Sequence, residues 1–383
     1  MKVYLDSAAT SQLDPLVLDE MLPFFTEVHG NPSSTHGFGR TAKAGIEKSR
    51  KTIASAINAS SLEIVFTSCG TESNNMAIKC AVQHYDVKHI ITSPIEHKCV
   101  FNTCQELAAM NIGVQLHYVD VKSCGGIEMD SLAQLLEKCN GEKVLVSLMH
   151  ANNEIGTLLD IKAVGEICDK YGALFHSDTV QTVGHYKINV KDLNVHFLSG
   201  SAHKFHGPKG VGFLYMRSDT KVCPLIHGGG QERTHRSGTE NVAGIVGMAK
   251  ALQLSEDNME AYKDHILDLR SYMMSELHAN FDDIKFNGNV ENGLYTVLNV
   301  SFSDKFKSDM LLFNLDMAGI AVSGGSACSS GANMGSHVMQ GIGHDSKRRA
   351  VRFSFSHFNT KEEIDYTIAE LKKIAAREMA SIN

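Results

Sequence analysis

The stretch Val195-His196-Phe197-Leu198-Ser199-Gly200-Ser201-Ala202-His203-Lys204-Phe205-His206-Gly207-Pro208-Lys209-Gly210 sets a lysine just beyond a short apolar run. Val195 to Leu198 has the length and content of a buried strand. The two later glycines and Pro208 keep the following residues from continuing as helix. Lys204 is therefore placed in a loop at a strand's end, where an amine is a candidate nucleophile. Such an amine needs surroundings that keep it from being permanently protonated, and Lys209 or a bound cofactor could supply them. Taken alone, Lys204 reads more readily as an ordinary exposed loop lysine.

The neighbouring segments extend this pattern in both directions. Upstream, Ala173-Leu174-Phe175-His176-Ser177-Asp178-Thr179-Val180-Gln181 is a second apolar run, ending on a carboxylate. An anion at one strand's end and a lysine at the next suit pyridoxal phosphate, which needs an acid against its ring nitrogen and an amine for its aldehyde. Further runs lie at Glu63 to Phe66, His89 to Thr92, Val114 to Asp120, Lys143 to Met149 and Gly210 to Met216, with helical patterns between several of them. This alternation predicts an α/β fold: a mainly parallel sheet with helices on both faces and binding loops at the strands' carboxyl ends. Thr41 to Asn58 carries Ile46, Ile53 and Ile57 at helical spacing, after a loop through Gly37 and Gly39. A smaller α/β unit is expected after a helix from Val242 to Asn258. It comprises a strand at Tyr295 to Phe302, a helix at Ser308 to Met317 and a strand at Ile320 to Ser323. The capping box Thr360-Lys361-Glu362-Glu363 opens its closing helix.

Composition narrows the function without naming it. The chain has 383 residues, 43% of them hydrophobic, enough for a large core and two domains. Its net charge of -7 is spread throughout, which argues against nucleic acid as a main ligand. Nine cysteines with no C-x-x-C read as reduced thiols rather than a disulfide framework or zinc site. The start lacks the apolar run of a signal peptide and no stretch approaches membrane-span length, so a cytoplasmic protein is expected. Walker-type and dinucleotide fingerprints are absent from the sequence.

Asp178 with Gln181, Ser201-x-His203-Lys204 and Gly207-Pro208-Lys209-Gly210 resemble the cofactor site of the cysteine desulfurases of the NifS/IscS kind, in the class V aminotransferase family. The likeness extends over nearly the whole chain. It implies the type I fold of pyridoxal-phosphate-dependent transferases, with a seven-stranded sheet in a large domain (15–255). A smaller domain (1–14 with 256–383) would carry a catalytic cysteine. After the strand Glu63 to Phe66, the turn Cys69-Gly70-Thr71 opens a helix whose free N–H groups suit a phosphate. The resemblance makes Gly70 and Thr71 phosphate grips, although Thr71 also reads as a simple N-cap. Cys69 stands where relatives usually carry glycine.

By the same resemblance, His97 stacks on the cofactor ring and moves protons, and Asp178 pairs with the ring nitrogen. Asn153 meets the ring oxygen or the substrate carboxylate and Gln181 that same ring oxygen, while Ser201 and His203 bind phosphate. Thr239, in the glycine-rich stretch Gly228 to Asn241, would reach the partner's cofactor across a homodimer. Ser323-Gly324-Gly325-Ser326-Ala327-Cys328-Ser329-Ser330-Gly331 is glycine- and serine-rich, so Cys328 is expected exposed and mobile. It matches the family's nucleophile loop, with Gly335 where relatives often have proline. Arg352, on the strand Arg349 to Ser356, would hold the substrate α-carboxylate; Ser356-His357 departs from the family pattern.

The implied activity converts L-cysteine to L-alanine. Sulfur passes as a persulfide on Cys328 to an iron–sulfur scaffold protein or another acceptor. No resident metal is implied, Cys328 serving at most as a transient iron–sulfur ligand. Selenocysteine lyase, class V aminotransferase and a non-catalytic scaffold are the competing readings.

Overall fold

A computed structural model describes residues 1–110, 113–221, 223–303, 310–324 and 336–380. Its strands, in chain order, are β1 (Val3–Tyr4), β2 (Ile64–Thr67), β3 (His89–Thr92), β4 (Gln115–Tyr118), β5 (Val144–Ser147) and β6 (Leu174–Asp178). They continue as β7 (Phe197–Ser201), β8 (Gly212–Met216), β9 (Ile284–Asn287), β10 (Val297–Phe302), β11 (Ile320–Ala321) and β12 (Arg349–Ser354).

The seven-stranded sheet has the order β2-β8-β7-β6-β5-β3-β4. Only β8 opposes its neighbours; the other pairs are parallel. The expected α/β architecture is therefore present. Its central strands are apolar runs buried on both faces, as a helix-covered parallel sheet requires. Adjacent residues diverge as the pleat dictates. Ile90 and Leu145 pack with Met76 and Ala77 of the helix Gly70–Tyr85, whereas Ile91 and Val146 pack with Ile46, Leu132 and Met248 on the other face.

The remaining strands serve a second core. β12-β10-β9 form an antiparallel sheet, and β1 pairs in parallel with β11 through Val3↔Ile320. Val3 and Leu5 thus share a core with Met273, Val300, Phe353, Ile364 and Leu371, some 260 residues or more further along. The capping box closes as expected: Thr360 N donates to Glu363 Oε2 at 3.1 Å, and Glu363 N to Thr360 Oγ1 at 3.4 Å.

Two sequence expectations are corrected. The helix expected from Thr41 runs Gly37–Ala56, capped by His36, whose Nδ1 accepts from Gly39 N at 3.3 Å. Gly39 serves close approach there, since a Cβ would stand 2.5 Å from Ser34 O. Strand β9 was not anticipated. Its sequence, Ile284-Lys285-Phe286-Asn287, is only half buried, and antiparallel pairing with β10 creates it.

Candidate active site

The carboxyl ends of β2, β6 and β7, with the loops after β3 and β5, surround a cavity of ≈ 230 Å³. Gly70, Thr71, His97, Asn153, Asp178, Gln181, Ser201, His203, Lys204 and Arg352 all line it, so residues spread over more than 280 positions meet. Close packing beneath it leaves no room for larger residues. A Cβ on Gly70 would lie 2.6 Å from Val180 Cγ2, and one on Gly200 2.2 Å from the Phe213 ring.

Lys204 ends a single 3-10 turn, Ala202–Lys204, that follows β7 directly. Its Nζ donates to Ala8 O at 2.6 Å and Ala9 O at 2.8 Å, and Gln181 Nε2 donates to Ala8 O at 3.1 Å. The N-terminal segment therefore crosses the cavity and holds the amine through backbone carbonyls. Side-chain motifs carry no signal for such contacts.

Asp178 is backed by a buried chain of hydrogen bonds. Asn74 Nδ2 donates to Asp178 Oδ2 at 2.7 Å, and Val180 N to Asp178 Oδ1 at 3.0 Å. Asn74 Oδ1 lies 3.1 Å from His176 Nε2, and His176 Nδ1 lies 2.8 Å from Ser147 Oγ. Complete burial pushes His176 down to about 3, so it stays neutral. An amide oxygen only accepts, so His176 is protonated on Nε2 and takes the Ser147 hydroxyl proton on Nδ1. Neither Asn74 nor His176 was singled out from sequence, although both lie inside segments that were.

His97 caps the helix Lys98–Ala109: Cys99 N donates to its Nδ1 at 3.2 Å, which leaves Nε2 to carry the proton. Burial is the largest influence and lowers its pKa, aided by the Lys204 and His337 charges and opposed by Asp178. Cys99, expected as packing, also lines the cavity, with Sγ 2.9 Å from His97 Nδ1. Burial pushes that thiol up to about 12, so it stays protonated. Cys69 lines the cavity as well. It, not Thr71, is the N-cap of the helix Gly70–Tyr85, which removes the capping explanation for Thr71.

Two features suit an anion beside that helix. Its first intrahelical bond is Ser73 N to Cys69 O at 3.1 Å, so the N–H groups of Gly70 and Thr71 precede the ladder. Ser201 Oγ is buried without a hydrogen-bond partner on the same cavity. A buried hydroxyl left unmatched marks a site built for a group it can contact. His203 Nδ1 lies 3.1 Å from Thr10 Oγ1; burial, then the Lys204 and Lys209 charges, lowers its pKa to about 4.

Arg352 enters from β12. Its Nη1 donates to Asn153 O at 2.9 Å and Nη2 to Asp6 Oδ1 at 2.7 Å, while Nε is buried without a partner. Thr239 lies apart, in a hollow with Gly210, Arg236 and Glu240. Upstream of it, Glu232, Arg233 and Thr234 have positive φ, and Glu232 is clamped by Arg50 at 2.7 and 2.8 Å. Cys328 and Gly335 lie outside the described residues. Ser356 N donates to Asn359 Oδ1 at 2.8 Å, a partner not foreseen in the sequence, and His357 stacks on Tyr262 with ring centroids 3.9 Å apart.

A seven-stranded, mainly parallel sheet with a lysine and an aspartate at adjacent strand ends defines an α/β transferase architecture. Residues 3–367 match the aminotransferase class-V family, and the chain belongs to it. It is 45% identical over 377 residues to the "Cysteine desulfurase IscS" of Dictyoglomus turgidum, covering 97% of this chain and 94% of the relative. A solved structure described as "NIFS-LIKE PROTEIN" superposes with a TM-score of 0.91 at 38% identity, covering 98% of this chain and all of that one. Another, "SspA in complex with cysteine", gives 0.81 at 33% identity, covering 94% of this chain and all of that one. Among the described residues, no helix is long and apolar enough to cross a membrane.

Proposed function

We propose that the chain is a cysteine desulfurase that binds pyridoxal phosphate on Lys204, releases L-alanine from L-cysteine and collects the sulfur on Cys328. The observation that carries this reading is the convergence of Lys204, Asp178, His97 and Arg352 on one cavity. It is supported by near-complete alignment with relatives named cysteine desulfurase. The residues present fit the cofactor: a partnerless buried Ser201 hydroxyl and a helix start for the phosphate, a buried carboxylate for the ring nitrogen, and an amine for the aldehyde.

When bound, pyridoxal phosphate supplies an electron-accepting ring. Gly70, Thr71, Ser201 and His203 hold its phosphate, and Asp178, braced by Asn74, holds the pyridine N–H. Gln181 meets the ring oxygen and His97 covers the ring face. Arg352 and Asn153 fix the substrate carboxylate. Lys204 Nζ, assisted by His97 Nε2, takes the α-proton and later returns one. The Cys328 thiolate attacks the substrate sulfur as its bond to Cβ breaks. The Cβ–S electron pair stays with carbon, which is protonated to the methyl group of alanine.

Thr239 completes a partner subunit's phosphate site in a homodimer. The chain works as a large unit, 15–255, and a smaller one, 1–14 with 256–383. It acts in the cytoplasm and passes sulfur to an iron–sulfur scaffold or another acceptor protein. The test is a spectrum of the purified protein, with sulfide and alanine measured from L-cysteine. The expected result is an absorption band at the visible edge that borohydride bleaches while leaving the cofactor covalently fixed to the chain, and that is absent in Lys204→Ala. Cys328→Ala keeps the band and loses persulfide. A protein without the band, or one needing a keto acid as co-substrate, overturns the reading.

A further inference from the structure

We infer that His89, His117 and Cys139 form a site for one transition-metal ion of the Zn2+ class, on the seven-stranded sheet at the opposite ends of its parallel strands from the cavity. One nitrogen of each imidazole and Cys139 Sγ lie within 4.8 Å of one another. Among the described residues this is the group of histidines, cysteines and carboxylates with metal-site spacing.

The topology brings them together. His89 opens β3, and His117 is opposite Ile91 on the edge strand β4, so both imidazoles project from one face. The helix Met129–Lys138 packs on that face through Leu132 and Leu136, and Cys139 is its C-cap. His89 and Cys139 are buried; His117 is half-buried.

The hydrogen bonding already has the form of a metal site's outer shell. His89 Nε2 lies 2.5 Å from Glu142 Oε2, so the carboxylate accepts the proton of that nitrogen. This leaves His89 Nδ1 with its lone pair aimed at His117 Nε2, 3.0 Å away. A histidine that gives its other N–H to a carboxylate is the usual ligand arrangement, because the acid fixes the tautomer and raises the basicity of the free nitrogen. Two ligand atoms on a tetrahedral Zn2+, each at about 2.0–2.1 Å, stand slightly over 3 Å apart.

Two imidazoles and a thiol suit a borderline-soft ion and do not suit Ca2+ or Mg2+, which take oxygen ligands. Solvent reaches the half-exposed His117 side and supplies the fourth ligand. Burial raises the Cys139 pKa, so the ion must displace the thiol proton on binding. That thiol now donates to Leu135 O at 3.2 Å, a contact the ion replaces. Lys138 is a like charge near His117, and the Glu142 carboxylate on His89 is the acid beside the site. A bound ion would tie the free edge strand β4 to β3 and the covering helix, protecting an edge that is otherwise exposed to pairing with other chains.

The test titrates the cofactor-loaded, full-length protein with Co2+, read as difference spectra, and with Zn2+, read as Tm. Expected are tetrahedral d–d bands with a thiolate charge-transfer band at one equivalent per chain, and a Tm that rises with Zn2+. Both responses should disappear in Cys139→Ser and in His117→Ala and persist in Cys328→Ser, with desulfurase activity unchanged in the first two. His117→Ala, half-exposed on an edge strand, covers the case in which Cys139→Ser fails to fold. Absence of the bands, survival of the bands in His117→Ala, or their loss only in Cys328→Ser would overturn the assignment.

Discussion

The cavity has two unlike walls. On the side of the seven-stranded sheet, Asp178 is met by Asn74 and by Val180 N, and Asn74 is held in turn by His176 and Ser147. Those polar groups are paired and buried, and a fixed carboxylate is suited to a group that stays bound through many turnovers. On the side of β12, Arg352 is equally buried but less completely matched. It shares Asp6 Oδ1 and Asn153 O, and its Nε has no partner. A guanidinium with spare donors, paired to a carboxylate in partial contact with solvent, can exchange that carboxylate for a substrate's. The carboxylate that serves a lasting ligand is saturated with partners, whereas the guanidinium that serves a transient one keeps donor capacity left over.

The largest expected effect comes from the unsaturated wall. Arg352→Lys keeps the charge but loses the planar fork, so kcat/KM for L-cysteine should fall about 10²–10³-fold, equivalent to about 3–4 kcal/mol. The cofactor band should stay intact. Loss of the band with an unchanged KM would show that the two walls do not divide the work in this way.

A smaller loss is expected from Asn74→Ala, which leaves Asp178 and His176 short of one partner each. The cost is about 1–3 kcal/mol. It should appear in kcat and in a shifted pH dependence of the cofactor band, with KM little changed. A change confined to Tm would reduce Asn74 to a packing residue.

The smallest effect concerns the joint between the walls. Glu96 accepts from Ser93 Oγ at 2.9 Å and Met149 N at 3.0 Å, its Oε2 is buried without a partner, and its backbone O accepts from His337 Nε2 at 2.8 Å. Burial, the largest influence, pushes its carboxyl up to about 8. The unfolded chain releases this proton near pH 4.3 while the fold retains it. Glu96 therefore stabilises fully below that pH and loses its contribution as pH rises toward 8. Glu96→Gln, neutral at every pH, should raise Tm relative to the parent at pH 8, with the gain shrinking as pH falls and vanishing near pH 4. A gain independent of pH would mean that the carboxyl is not the source.

Much of this was legible in the chain because strand ends and turn residues are local signals. Apolar runs, each followed by a polar or glycine-bearing turn, marked the sheet. Gly70, His97, Asn153, Asp178, Ser201 and Lys204 all fell at such ends, which is why one cavity could be anticipated from scattered positions. Cys99 escaped because a buried thiol and a cavity thiol look alike in sequence. The long-range partners left no local pattern: Asp6 for Arg352, Asn74 for Asp178, and the Ala8 and Ala9 carbonyls for Lys204.

By itself, then, the sequence determined the alternation of elements, the two-faced burial of the central strands and the chemistry available at their ends, since each follows from spacing along the backbone. Only the tertiary structure decided which carbonyls hold Lys204, how the two walls differ, and that His89, His117 and Cys139 meet. Those contacts join residues tens to hundreds of positions apart, and strand order and register, rather than any local preference, set the distances between them.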